Sequence, residues 1–197
     1  MPSAGSLPPA RELAIGLSSW LGARSPTSIS EGRRAAVLLV LYDKAGRPHT
    51  LLTKRSDALP VHSGQISLPG GRMEPDDADL WATALRETEE EVGVPRGHVA
   101  PVGRLDDVAT IATSFVITPY VGLLEDAPAT KAQASEVARI IEAPLDELLA
   151  EDARLPERPT ITTLRYPLFG EDIWGATARI LTAFLSELRE AGLAPRR

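Results

Sequence analysis

The stretch AAVLLVLY at residues 35–42 is apolar without interruption and of strand length; DKAG behind it supplies a turn, and HTLLTK continues as its hairpin partner. A chain with such a hairpin near its start has to build a sheet. The same run is far too short to span a bilayer, which takes about 20 apolar residues. Ahead of it, residues 10–21 place Leu13, Leu17, Trp20 and Leu21 at helical spacing, and GARSPTSISEG reads as a linker into the hairpin. Behind it, a glycine-punctuated loop at residues 56–71 leads to a helix over about 79–92, stopped by Gly93 and Pro95. Strands are expected at 99–108 and 115–124, a sheet extension at 136–141, a short helix opened by Pro144 at 144–149 and another strand at 160–168. A long helix closes the chain, with Ile173, Thr177, Ile180, Leu181, Phe184 and Leu188 along one stripe. Strands followed and interrupted by helices make this an α+β chain, a mixed sheet with helices packed on its faces. With 197 residues, 43% of them hydrophobic, the chain can bury one good core and is short for two full domains.

Composition removes several classes of chemistry. There is no cysteine, so disulfides, thiolate metal sites and a cysteine nucleophile are excluded. A net charge of -6 argues against broad nucleic-acid binding, which rests on a basic footprint. MPSAGSLPPARE lacks the basic-then-apolar layout of a signal peptide. The expectation is a soluble cytoplasmic protein with neither membrane nor nucleic acid as partner. An anionic substrate would need metal ions.

The helix over 79–92 carries the most informative residues. Glu87, Glu90 and Glu91 lie at i, i+3 and i+4 and share one face, while Glu89 points roughly the opposite way. Trp81, Leu85, Thr88 and Val92 form a second stripe suited to packing on the sheet. An arbitrary run of glutamates is usually a solvated charged face. Three carboxylates within one turn also repel one another, and hard cations such as Mg²⁺ or Mn²⁺ relieve that cost by taking several oxygen ligands. Upstream, Lys54, Arg55 and Arg72 bracket the glycine-rich loop, as cations suited to a diphosphate would. Gly64, Gly70 and Gly71 either let the backbone approach a ligand or serve turns. His62 in the loop is either a base or substrate contact or incidental, and His49 and His98 carry no assignment.

The stretch GGRMEPDDADLWATALRETEEEVGV resembles the Nudix box, G-x5-E-x7-R-E-U-x-E-E-x-G-U with U apolar. The run from Arg86 to Val94 fits its second half, with Thr88 in place of the usual apolar residue. From Gly71 to Arg86 there is one residue more than the consensus, and the consensus acid falls on Asp77 if the extra residue follows it. The resemblance implies a loop-helix-loop motif in a Nudix-type α/β/α sandwich with a C-terminal helix packed on the sheet. It implies that Glu87, Glu90 and Glu91 bind divalent metal and that Arg86 orients the acids. Gly70 could add a carbonyl to the metal. The domain would occupy residues 33–197, with residues 1–32 an N-terminal helix and linker outside it.

LLTKRSDALPVHSGQISLPGG, residues 51–71, is similar to the signature of the coenzyme A pyrophosphatase branch, LLT-x-R-S/A-x3-R-x3-G-x3-F-P-G-G. Leu51, Leu52, Thr53, Arg55, Ser56, Gly64, Pro69, Gly70 and Gly71 match, while Pro60 replaces an arginine and Leu68 a phenylalanine. This implies Mg²⁺- or Mn²⁺-dependent hydrolysis of coenzyme A or a derivative, with Lys54, Arg55, Ser56, Gly64, Gly71 and Arg72 on the substrate. The products would be 3',5'-ADP and 4'-phosphopantetheine. Water would attack one phosphorus in line, with Glu90 or Glu136 as the base. Other nucleoside diphosphate derivatives, or a Nudix-fold binding domain without catalysis, are the competing readings. A monomer and a homodimer are both compatible with the sequence.

Overall fold

The structure is a computed structural model that describes residues 7–57, 64–110, 114–152 and 164–196. The chain runs α1 (Ala10–Gly22), β1 (Arg33–Lys44), β2 (Arg47–Arg55), β3 (Ile66–Ser67), β4 (Gly70–Arg72) and α2 (Leu80–Val92). After a 3-10 turn at Arg96–His98 come β5 (Ala100–Arg104), β6 (Val108–Ala109), β7 (Phe115–Leu123), β8 (Val137–Pro144) and α3 (Leu145–Asp152). A small hairpin of β9 (Tyr166–Leu168) and β10 (Glu171–Ile173) precedes α4 (Gly175–Glu190).

The eight-stranded sheet is mixed: β1 runs parallel to β7, and every other pairing in it is antiparallel. The expected hairpin forms, closed by Ala45 at φ 52 and Gly46 at φ 73, the two positive values that a two-residue turn matched to strand twist requires. Pairing between β1 and β2 covers only the turn end, from Tyr42↔His49 to Lys44↔Arg47. Beyond it the two strands part. β1 takes β4 on that edge and β2 takes β3, so the glycine-rich segment lines a fork in the sheet.

Alternation along β1 sorts the core into two layers. Leu39 and Leu41 face α1, α3 and α4 with Leu13, Leu17, Leu148, Leu181, Phe184 and Leu188. Ala36, Leu38, Val40 and Tyr42 face α2 with Ala84 and Val92. Helices on both faces of one mixed sheet are the expected sandwich. α1 belongs to the same core: Leu13 and Leu17 are fully buried, each such side chain contributing roughly 1.5–3 kcal/mol. Trp20 also donates to Glu187 of α4 at 2.6 Å.

Several boundaries differ from the sequence expectation. Residues 99–108 are two strands, because the chain leaves the ladder around Asp107, whose buried carboxylate accepts from Ile29 N–H, Arg34, Arg104 and Thr118. Ile173 belongs to β10 and not to the closing helix, which begins at Gly175 after an extended Trp174. It is buried all the same, which is why its place in the apolar pattern was misleading. The strand expected at 160–168 is described only from Leu164 and is short. The segment 136–141 does extend the sheet, as β8, and α3 begins directly after Pro144. β3 and β4 lie inside the stretch read as loop.

Candidate active site

α2 is built to present two faces. Asp79 caps its start by accepting from Ala82 N–H at 2.8 Å, and Gly93 ends it in the left-handed region at φ 76. One face packs Trp81, Ala84, Leu85 and Val92 onto the sheet. Thr88 sits buried in that apolar face because its hydroxyl donates to the Ala84 carbonyl at 2.7 Å. Glu89 points away and pairs with Arg96 at 2.6 Å.

The other face turns Arg86, Glu87, Glu90 and Glu91 towards β4. Glu91 is only 3% exposed and accepts from Gly70 N–H at 3.2 Å. Burial pushes its carboxyl up to about 8; the Gly70 N–H and the Arg55 charge pull it down, while Glu87 and Glu136 push it further up. Burial likewise raises Glu87, against the lowering pull of Arg86 and with added repulsion from Glu90 and Glu136. Four carboxylates therefore share one field, and Glu136 reaches it from the start of β8. Gly71 makes the arrangement possible, since a Cβ there would lie 2.4 Å from the Glu87 carboxylate. Gly70, at φ 149, would push a Cβ to 2.3 Å from the Ala36 carbonyl oxygen.

Arg86 ties the acids together. Its Nε and one terminal nitrogen donate to the two Asp77 oxygens at 2.9 and 3.0 Å, the fork geometry of a bidentate pair. The remaining donors reach Glu87 at 3.0 Å, Glu90 at 3.2 Å and the Arg72 carbonyl at 3.0 Å. The Arg86 hydrogen bonds hold the Asp77 carboxyl far below the usual carboxylate range, against burial and with help from Glu74 N–H and Thr83. Asp77, on which the acid of the motif falls when the extra residue follows it, is thus the carboxylate paired with Arg86. Because its folded value is depressed, the pair stabilises the fold at every pH above the unfolded carboxyl value of about 3.9 and loses that contribution only on acidification below it. Asp77→Asn is expected to cost about 1–3 kcal/mol in urea denaturation at neutral pH, by leaving Arg86 short of its charged partner.

The other sequence-proposed residues divide by side of β2. Arg55 is near enough for its charge to lower the Glu91 carboxyl, and its buried Nε has no hydrogen-bond partner among the described residues. Ser56 N–H donates to the Glu136 carbonyl at 2.7 Å, fixing that segment beside the loop. Gly64 takes φ 68. Arg72 contributes its carbonyl to Arg86 while its side chain is exposed. Lys54 lies on the opposite face of β2, paired with Glu171 of β10 at 3.0 Å. Arg139, bound to the same Glu171, belongs with it and carried no signal in the sequence. Pro60 and His62 lie outside the described residues.

Among the described residues no three acidic or histidine side chains converge into a finished metal shell. Glu87 and Glu90 are drawn to Arg86, and Glu91 to Gly70 N–H. The donor set nevertheless suits a hard divalent cation: it is all oxygen, its members raise one another's proton affinity, and Gly71 lets the Glu87 carboxylate rest directly on the β4 backbone. Glu87, Glu90 and Glu91 are the side chains that could hold it.

The profile of the NUDIX domain matches residues 32–164. The chain belongs to this family. A protein named Uncharacterized Nudix hydrolase NudL from Photorhabdus laumondii is 42% identical over 126 residues, covering 64% of this chain. The match spans 66% of that relative, just under two thirds of its length. A protein of the same name from Yersinia pestis is 38% identical over 154 residues, 76% of each chain. Among solved structures, the NUDIX domain of Shewanella oneidensis NrtR, complexed with ADP ribose, superposes with a TM-score of 0.55 at 17% identity, covering 88% of this chain and 96% of that one. That likeness shows the Nudix fold. No helix among the described residues of this Nudix protein is long and apolar enough to cross a membrane.

Proposed function

We propose that this Nudix protein hydrolyses the diphosphate of coenzyme A or a derivative, giving 3',5'-ADP and 4'-phosphopantetheine or its acyl form. The observation that carries the reading is Arg55, the arginine of the LLT-x-R-S segment: its charge is felt at Glu91, and its buried Nε has no hydrogen-bond partner among the described residues, which leaves a guanidinium in want of an anion. The same segment ends in Gly70 and Gly71, against which Glu91 and Glu87 rest.

Mg²⁺ or Mn²⁺ held by Glu87, Glu90 and Glu91, with the Gly70 carbonyl, would lower the pKa of water from about 15.7 towards 7 and neutralise phosphoryl charge. The chain's own residues do the rest. Arg86 fixes Glu87 and Glu90 in place through its pairing with Asp77. Arg55 holds the diphosphate against the carboxylates. Exposed Glu136, whose charge is felt at Glu87 and Glu91, or Glu90, takes the proton from the attacking water. Its oxygen bonds to one phosphorus, the bridging P–O bond breaks in line, and the leaving phosphate keeps that electron pair. No covalent enzyme intermediate is needed.

The test is the specificity constant for coenzyme A, dephospho-coenzyme A and ADP-ribose in the presence of Mg²⁺, with products separated and identified. Coenzyme A is expected to be cut fastest. A clear preference for ADP-ribose overturns the substrate assignment, and no turnover of any diphosphate overturns the hydrolase reading.

A further inference from the structure

The last carbonyls of a helix have no partner within it. At the end of α2 two of them are taken by a segment from further along the chain: Lys131 N–H donates to the Val92 carbonyl at 2.9 Å and Gln133 N–H to the Glu91 carbonyl at 3.0 Å. Gly93 admits that approach, since it turns the chain at φ 76 and a Cβ there would lie 3.3 Å from the Lys131 nitrogen. The Gln133 peptide is then used a second time. Its carbonyl accepts from Glu136 N–H at 2.9 Å and from Val137 N–H at 2.8 Å, which closes one helical turn over 133–137. Beyond that turn the Glu136 carbonyl accepts from Ser56 N–H at 2.7 Å, just before Val137 enters β8 opposite Arg55. The backbone that carries Glu136 is thus fixed at both ends, to the C-terminal turn of α2 and to the end of β2. The Glu136 side chain is exposed, yet its charge is felt at Glu87 and Glu91. No ion pair engages it among the described residues, whereas Glu90 is held by Arg86 at 3.2 Å. A carboxylate engaged by a guanidinium is the poorer proton acceptor of the two.

We propose that the Gln133 peptide is a positioning element of the hydrolytic site, one that sets Glu136, in preference to Glu90, to take the proton from the attacking water. The proposal rests on the diphosphate hydrolase reading and not on which diphosphate is cut. Gln133 acts only through Glu136. The bond from its N–H to the Glu91 carbonyl gives the turn its origin on α2, and the two bonds to its own carbonyl carry the chain from there to Glu136. The proton passes to a Glu136 oxygen as the water oxygen bonds to phosphorus and the bridging oxygen leaves with its electron pair.

The test is a double-mutant cycle on steady-state rates, run with Mg²⁺ and the diphosphate that the wild type cleaves fastest. Glu136→Gln is expected to lower kcat about a hundred-fold, the lower end of what a positioned acid or base contributes. Gln133→Pro deletes the N–H that reaches the Glu91 carbonyl. It is expected to lower kcat about ten-fold while KM changes by less than about two-fold, because the group it misplaces acts on the water and not on substrate binding. In the Glu136→Gln background the same proline costs less than about two-fold, since that group is already gone. Gln133→Ala keeps the peptide and retains most of the rate. Should the proline variant lose its fold, Ala134→Gly combined with Ser135→Gly loosens the turn at two exposed residues and is read in the same cycle. Equal fold-losses in the two backgrounds are the mark of a merely structural turn and overturn the proposal, as does wild-type kcat in Glu136→Gln. That last result leaves the hydrolase reading standing, whereas a wild type that cleaves no diphosphate takes both down.

Discussion

Stripped of divalent cations with a chelator, the protein is expected to lose diphosphate hydrolysis to below detection and to recover it on addition of Mg²⁺ or Mn²⁺. The reason lies in the charge balance of the cluster. A diphosphate brought beside Glu87, Glu90 and Glu136 meets repulsion of about 4 kcal/mol for each pair of unit charges at about 4 Å, at the effective dielectric of a protein surface. Arg86 is already engaged with Asp77, Glu87 and Glu90, which leaves Arg55 as the guanidinium facing the cluster with an unused donor. One arginine does not offset that many negative charges. Cation binding should also raise the thermal midpoint, since a ligand at about 100 times its dissociation constant contributes about 2.7 kcal/mol. Activity that survives thorough chelation, or a midpoint indifferent to Mg²⁺, rules out the metal-dependent mechanism.

Glu91→Gln is expected to lower kcat by about a hundred- to a thousand-fold, the effect of losing a charged ligand from a site that must neutralise a phosphoryl group. The fold should survive, because glutamine matches the shape of a side chain that is 3% exposed and still accepts from Gly70 N–H through its amide oxygen. Burial already disfavours the Glu91 charge, so the neutral replacement should not lower stability. Glu89→Gln is the matched control, three-way discrimination being completed by Glu90→Gln. Glu89 is engaged with Arg96 on the other side of α2, and its loss should change kcat by less than about two-fold while removing only a surface ion pair. Circular dichroism and steady-state rates on the three variants check this. Equal activity in all of them would show that the catalytic face of α2 has been misassigned.

How much of this was legible in the sequence depends on whether a residue's role followed from period or from tertiary contact. α1, β1, β2 and α2 could be read because their apolar spacing and caps are strong local signals, down to Asp79 and Gly93 at the two ends of α2. β3 and β4 could not, because strands of two or three residues beside glycines have no period to detect, and they exist through their pairing with β2 and β1. Lys54 stood beside Arg55 and was grouped with it, although alternation along a strand already separates neighbours onto opposite faces. Arg139 and Glu171 stayed invisible because only the β2–β8 register and the β9–β10 hairpin bring them to Lys54. The partner of Arg86 needed the structure for another reason: one added residue before α2 shifts the spacing, and the loop absorbs it while Asp77 keeps both of its bonds to the guanidinium.

The fork between β1 and β2 has a mechanical consequence. α2 and β4 are anchored to the β1 limb, whereas Arg55, Ser56 and the start of β8 ride on the β2 limb; the β1–β2 ladder itself is confined to the turn end near Ala45 and Gly46, and at the open end the short β3–β4 segment bridges the limbs. On the function proposed above, a diphosphate held by Arg55 on one limb and, through metal, by the α2 carboxylates on the other would act as a strut across the fork. It sets the spacing that the backbone ladder leaves unset. The substrate itself would then help to set the distance between the arginine and the carboxylates, a distance that the turn at Ala45 and Gly46 does not fix.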